Sequence, residues 1–319
     1  MTHKDNFNVT EYPGGVLVID SGFGRKNMTA CYMVEAESRV AFIEVGANSS
    51  TPRLMATLAQ RGWAPEDVEY VIVTHVHLDH AGGAGSLMQL LPDATFLVHP
   101  NGARHMADPA KLEAGVRAVY GDKVYEKLYG ELIPIAEERT RIMQEGDEVS
   151  LGSRQLKFID TPGHARHHFC VHDSQTNGWF TGDTFGLSYR EFDTQNGAFI
   201  LPTTTPVQFD PVALKQSVRR LVANKPDCMY LTHYGRVEDV QQLAVKMIEG
   251  VDALAGFGEQ FKNDDSRTQR LEAAIRDWLL TGLRKHGVKL PDEKCIELLQ
   301  NDITLNAQGI ECWLNYRDR

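Results

Sequence analysis

The segment His75-Val76-His77-Leu78-Asp79-His80 restricts what this chain can fold into more than any other stretch. Three of the 12 histidines and one carboxylate fall within six residues. The apolar run Val68 to Val73 and Thr74 come before it, and Ala81-Gly82-Gly83-Ala84-Gly85 follows. Such a short, β-branched run ended by turn residues predicts a buried strand. Layered α/β folds gather functional groups at the carboxyl ends of such strands. On an extended backbone, side chains at i and i+2 point the same way. His75 and His77 can therefore address one cation. Where the chain turns, Asp79 and His80 can be redirected to a second, and the glycines let the backbone turn closely. Imidazole with carboxylate suits zinc, manganese or iron. A lone histidine is usually just solvated, but four matched positions carry more weight than that.

Strands alternate with helices up to about residue 235. Gly15 to Asp20, Ala30 to Val34, Val40 to Val45 and Thr95 to Val98 read as further strands. Leu151, Leu156 to Ile159, Phe169 to Val171, Trp179 to Thr181 and Cys228 to Leu231 suggest a second set. Helices are expected over Thr51 to Gln60, with Ser50 or Thr51 as its cap and Pro52 near its start, and over Asp108 to Gly130 and Val212 to Leu221. After Gly235 the pattern becomes helical. Val240, Leu243, Ala244, Met247, Ile248, Val251 and Leu254 recur at helical spacing, as do Leu271, Ala274, Ile275, Trp278 and Leu279. The polar stretch Lys262 to Ser266 separates the two series. The chain thus divides into a domain over residues 1–235 and a helical extension over 236–319.

Composition narrows the function classes. The net charge of -10 and the lack of any dense Lys/Arg run argue against a nucleic-acid partner. Cys31, Cys170, Cys228, Cys295 and Cys312 are odd in number and form no CxxC pair, which excludes a disulfide framework and a thiolate zinc site. The opening Met1-Thr2-His3-Lys4-Asp5 has no apolar core, so no signal peptide and a cytoplasmic location are expected. No apolar stretch is long enough for a membrane span.

The histidine segment resembles the HxHxDH signature of the metallo-β-lactamase superfamily. Thr161-Pro162-Gly163-His164, Gly182-Asp183-Thr184 and Thr232-His233-Tyr234-Gly235 resemble its later motifs, in the family's order. The resemblance spans about residues 15 to 235. It implies an α/β fold, the metallo-β-lactamase αββα sandwich, here with a C-terminal helical extension. It implies that His75, His77 and His164 hold one metal, that Asp79, His80 and His233 hold a second, and that Asp183 bridges them. No cysteine falls in the pattern. The cofactors implied are two divalent ions, zinc first, with manganese or iron as alternatives.

The chemistry implied is hydrolysis. A water shared by two cations loses a proton near neutral pH and can attack a carbonyl or phosphorus. Asp79 is the candidate catalytic residue, orienting that nucleophile or relaying a proton, with ligation as its primary role. His168, four residues after His164, would support a ligand rather than bind metal. His167 is a candidate substrate contact, His99, His105 and His172 are incidental, and Tyr189, Arg190 and Tyr234 could line a pocket or be structural. The C-terminal helices resemble those of glyoxalase II-like and quinolone-signal thioesterases, either as a cover over the pocket or as a dimer contact. A small ester, thioester or lactone is the expected substrate. A mononuclear iron sulfur dioxygenase, a phosphodiesterase and a non-catalytic regulatory protein of the same fold stay open as alternatives.

Overall fold

Seven short runs in the first half of the chain pair into one sheet. In the computed structural model, which describes residues 7–204 and 206–317, they are β1 (Val9–Tyr12), β2 (Val16–Asp20), β3 (Ala30–Ala36), β4 (Arg39–Ile43), β5 (Val68–Ile72), β6 (Thr95–Val98) and β7 (Thr140–Ile142). They lie side by side in chain order. Pairing is antiparallel from β1 to β4 and parallel from β4 to β7. Parallel neighbours need long crossovers. These are α1 (Thr51–Gln60), then α2 (Leu78–Ala81) with α3 (Ala84–Leu90), then α4 (Pro100–Ala107), α5 (Ala110–Tyr120) and α6 (Asp122–Leu128).

The second sheet holds β8 (Glu148–Leu151), β9 (Arg154–Asp160), β10 (Phe169–Asp173), β11 (Gly178–Gly182), β12 (Cys228–Leu231) and β13 (Gly235–Val237), again side by side in chain order. Side chains alternate between the faces of a strand, and this sorts the core. Val16, Val18, Tyr32, Val34, Ala41 and Ile43 join Leu156, Phe158, Phe169, Val171, Phe180 and Tyr230 in the layer between the sheets. Their neighbours Leu17, Ile19, Cys31, Met33, Val40 and Phe42 pack with Leu54 and Leu58 of α1 and with Leu87 and Met88 of α3. The fold is thus the expected sandwich of two sheets with helices, followed by a helical C-terminal region.

The chain forms two compact units. One comprises the residues up to Asp160, His167–Gly182 and Cys228–Arg236, and so contains both sheets. The other comprises Thr161–Arg166, Asp183–Asp227 and the residues from Val237 onward. In the second unit α7 (Pro211–Ala223) is capped by Asp210, whose Oδ1 accepts from Val212 N and Ala213 N at 2.9 and 3.0 Å. It is followed by α8 (Val240–Phe261), α9 (Arg267–His286) and α10 (Asp292–Arg317). Leu243, Met247, Val251 and Leu254 of α8 and Leu271, Ile275, Leu279 and Leu283 of α9 are buried, at the spacing a single helix face requires.

Three local features differ from the sequence expectation. The stretch Asp108 to Gly130 is two helices, because Gly121 takes φ 78° and ψ 157°, a conformation side chains disfavour. The strands β1, β7 and β13 and the helix α4 carry too little apolar pattern to be read. So does α10, whose buried side includes the polar Asp302 and Asn306. Among the described residues, no helix is long and apolar enough to cross a membrane.

Candidate metal centre

The histidine segment leaves β5 as an extended loop. His77, at φ -63° and ψ 145°, is the N-cap of α2, and Asp79 and His80 lie within that single turn of helix. The glycines after it are used differently from the sequence expectation. Gly82 and Gly83 have ordinary helical φ values of -61° and -86°. What they provide is closeness. A Cβ on Gly83 would lie 2.7 Å from Ala47 O, and one on Gly85 would lie 1.9 Å from Ile133 O. Backbone therefore packs directly against the turn that carries Asp79 and His80.

Within the first unit, five of the seven expected ligands occupy one neighbourhood. His75 Nε2 lies 3.0 Å from His77 Nδ1. Two imidazole nitrogens bound at about 2.0–2.1 Å in a tetrahedral shell sit about 3.3 Å apart, so this spacing suits a shared cation. His75 Nδ1 is 3.0 Å from Thr74 Oγ1, which fixes the ring. Asp79, His80 and His233 each offer a ligand atom, all within 4.8 Å of one another. Asp79 Oδ2 is 3.3 Å from His233 Nε2 and 3.7 Å from His80 Nε2.

Hydrogen bonding on the far side of each ring settles what those atoms present. His233 Nδ1 donates to Met28 O at 3.0 Å. His80 Nδ1 donates to Glu44 Oε2 at 2.9 Å. The neutral tautomer with its proton on Nδ1 turns an Nε2 lone pair inward. Two imidazole lone pairs and a carboxylate then face one point, a donor set that fits a divalent cation.

Glu44 is the residue that sequence reasoning missed. Its Oε1 accepts from Thr74 N at 2.9 Å while its Oε2 holds His80. It directly follows the apolar run of β4, and only a buried acid in such a place could have signalled it. Burial, and after it the charge of Glu44, push the Cys31 thiol well above the usual range, so this cysteine has no thiolate to offer.

The second unit holds His164 and Asp183. His164 is buried, its Nδ1 3.4 Å from Thr203 O and its Nε2 3.4 Å from Asp183 Oδ2. This pair again sets a ring nitrogen against a carboxylate.

The remaining residues sort by what they touch. His168 is buried and stacks on His75, with ring centroids 4.8 Å apart. His167 is half-buried; its Nδ1 accepts from Val76 N at 3.4 Å and its ring meets the His77 ring edge-on at 5.4 Å. Tyr189 is buried and donates to Asp302 Oδ1 at 3.2 Å. Arg190 binds Ser188 O at 2.7 Å, and Tyr234 lies in the layer between the sheets. His99 pairs with Asp160 at 2.9 Å and His172 reaches Asn177 at 3.2 Å.

Comparison with known proteins agrees with the fold. The model of the metallo-beta-lactamase superfamily matches residues 24–233, and the chain belongs to that superfamily. The chain is similar to the metallo-beta-lactamase fold-containing protein ST1585 of Sulfurisphaera tokodaii, at 32% identity over 176 residues, 54% of this chain and 62% of that one. The solved structure of ST1585 from Sulfolobus tokodaii superposes with a TM-score of 0.67 at 23% identity, covering 93% of this chain and 98% of that one, a likeness of fold. A hydroxyacylglutathione hydrolase of Rhodopseudomonas palustris is 27% identical over 153 residues, 48% of this chain and 46% of that one. An acyl-coenzyme A thioesterase, MBLAC2 of Gallus gallus, is 27% identical over 170 residues, 52% of each chain. The matched part of the chain thus spans between about half and three-fifths of the length of these curated relatives.

Proposed function

We propose that this protein is a binuclear metal-dependent hydrolase of a small thioester, ester or lactone. The observation that carries the reading is the inward-facing set of Asp79 Oδ2, His80 Nε2 and His233 Nε2, each ring held from behind. His75, His77 and His164 would hold one ion. Asp79, His80 and His233 would hold the other, and Asp183 would serve both. When bound, two such ions supply an acidified water and an electrophilic partner for the oxyanion that develops.

The protein's own residues do the rest. Asp79 lies at 24% side-chain exposure, far more open than His80 at 0%, so its carboxylate can also take a proton from the attacking water. His167, whose ring meets that of His77, would donate to a substrate carbonyl or leaving group. Glu44, Met28 O and Thr74 keep the ligand rings from turning. The thioester and acyl preference draws on the names of two relatives, the hydroxyacylglutathione hydrolase and the acyl-coenzyme A thioesterase.

The test is a substrate panel run on metal-replete and chelator-treated protein. Acyl-coenzyme A, acyl-glutathione, homoserine lactones, aryl esters and bis(aryl) phosphodiesters would be compared by kcat/KM. Metal-dependent turnover with a thioester, ester or lactone ahead of the phosphodiester is the expected result. Phosphodiester preference, or oxygen uptake on persulfides in place of hydrolysis, would overturn the reading.

A further inference from the structure

The helix α10 has an unusual buried side. Asp302, Asn306 and Gly309, spaced i, i+4 and i+7, form one stripe along it. Asp302 Oδ1 accepts from Tyr189 OH at 3.2 Å. Asn306, at 2% exposure, spends its whole side chain on one stretch of backbone: Oδ1 accepts from Thr204 N at 2.7 Å, and Nδ2 donates to Pro202 O at 3.3 Å. Thr204 Oγ1 donates in return to the Oδ1 and main-chain O of Asn306, both at 2.9 Å. At Gly309 a Cβ would lie 1.4 Å from Thr204 O, so only glycine lets the helix come so near.

A helix that needed only to dock would do so with apolar side chains, since buried polar groups cost free energy unless fully bonded. The bonds from Asn306 to the Pro202 and Thr204 backbone instead fix one register. The register fixed here is that of Pro202 to Thr204, and Thr203 O is the group 3.4 Å from His164 Nδ1. The opposite nitrogen of that ring is 3.4 Å from Asp183 Oδ2. We infer that Asn306 is a positioning residue: by clamping Pro202 and Thr204 it sets the Thr203 carbonyl, which holds the proton on His164 Nδ1 and presents Nε2 to metal. The inference rests on the reading of His164 as a ligand. It gives the C-terminal helix a part in building the metal site.

The experiment is a zinc titration against a chromophoric chelator, on the full chain, at a temperature where circular dichroism shows each variant folded. Asn306→Ala, Thr204→Val, His164→Ala and Leu299→Ala would be compared with the parent. Asn306→Ala is expected to weaken one of two zinc equivalents by about tenfold, the lower end for groups that support a ligand. Thr204→Val, which removes only the hydroxyl, is expected to move the same equivalent by less. Leu299→Ala, buried on the same helix, is expected to lower the melting temperature and leave zinc affinity unchanged. An Asn306→Ala protein with a lowered melting temperature but parental zinc affinity would overturn the inference. If it does not fold, parental affinity in Thr204→Val overturns it instead. His164→Ala separates the two levels. Zinc lost there but kept in Asn306→Ala sinks the positioning role alone, whereas zinc kept in His164→Ala sinks the ligand reading with it.

Discussion

The carboxylate of Glu44 and the imidazole of His80 meet at 2.9 Å with 1% and 0% of their side chains exposed. Glu44 also takes a left-handed backbone conformation, φ 60°, which costs a side-chain-bearing residue about 1–2 kcal/mol. Two charge-assisted bonds, to His80 and to Thr74 N, offset that cost. Each carboxylate oxygen serves one of them. Glu44→Gln leaves one oxygen for two donors. It is expected to weaken zinc binding about 10- to 100-fold, the usual cost of losing a group behind a ligand. Zinc titration of the folded variant checks this, and Glu44→Asp, one methylene short, is expected to fall between the two.

Asp183 and His167 separate ligation from substrate contact. Asp183→Ala is expected to lose metal and activity together, since one carboxylate would serve both ions. His167→Ala is expected to keep its metal and raise KM. Elemental analysis beside steady-state kinetics distinguishes the two. Metal lost from His167→Ala would mean that the ligand set is wrong.

The platform beneath the site depends on an aromatic stack between the sheets. Phe180 stacks on Tyr230 at 4.6 Å and meets Tyr32 edge-on at 5.1 Å, and Tyr32 OH donates to Leu231 O, two residues before His233. Phe180→Ala is expected to cost about 3–5 kcal/mol, as buried Phe truncations do. Denaturant melts check the magnitude. A loss well under 1 kcal/mol would contradict the packing described here.

In the helical region, Arg267 bonds both oxygens of Glu311 at 3.0 Å and so ties α9 to α10. These bonds lower the Glu311 carboxyl below its ordinary value, against burial, which would raise it. A carboxyl lowered on folding stabilises the protein above its unfolded pKa of about 4.3, and that stability is lost as pH falls through the folded value. At 22% exposure the pair contributes no more than about 1 kcal/mol. Parent and Glu311→Gln are therefore expected to differ in melting temperature at pH 7 and to converge below about pH 4. A gap that persisted at low pH would assign the difference to packing.

The sequence made some of this legible and hid the rest for physical reasons. Thr51–Gln60 and Thr95–Val98 could be read to the residue, because apolar spacing and flanking turn residues agree there. The metal candidates could be read because histidine and carboxylate at fixed spacing have few other uses. Glu44 could not, because an isolated acid after an apolar strand has no spacing to betray it. The helix α10 was missed because Asp302 and Asn306 stand where apolar residues would mark the buried face. The glycines after His80 were recognised, but as a turn device, whereas their backbone is helical and they serve close approach to Ala47 and Ile133. That His164 Nδ1 looks at a carbonyl 39 residues along the chain depends on tertiary structure alone.

The measurement that bears most directly on the central claim is metal content per chain by elemental mass spectrometry, on protein purified without chelators or nickel. The two proposed ligand sets, one with His75, His77 and His164 and one with Asp79, His80 and His233, call for about two equivalents of zinc, manganese or iron. A single equivalent of iron, or no metal even after reconstitution, would contradict the binuclear hydrolase.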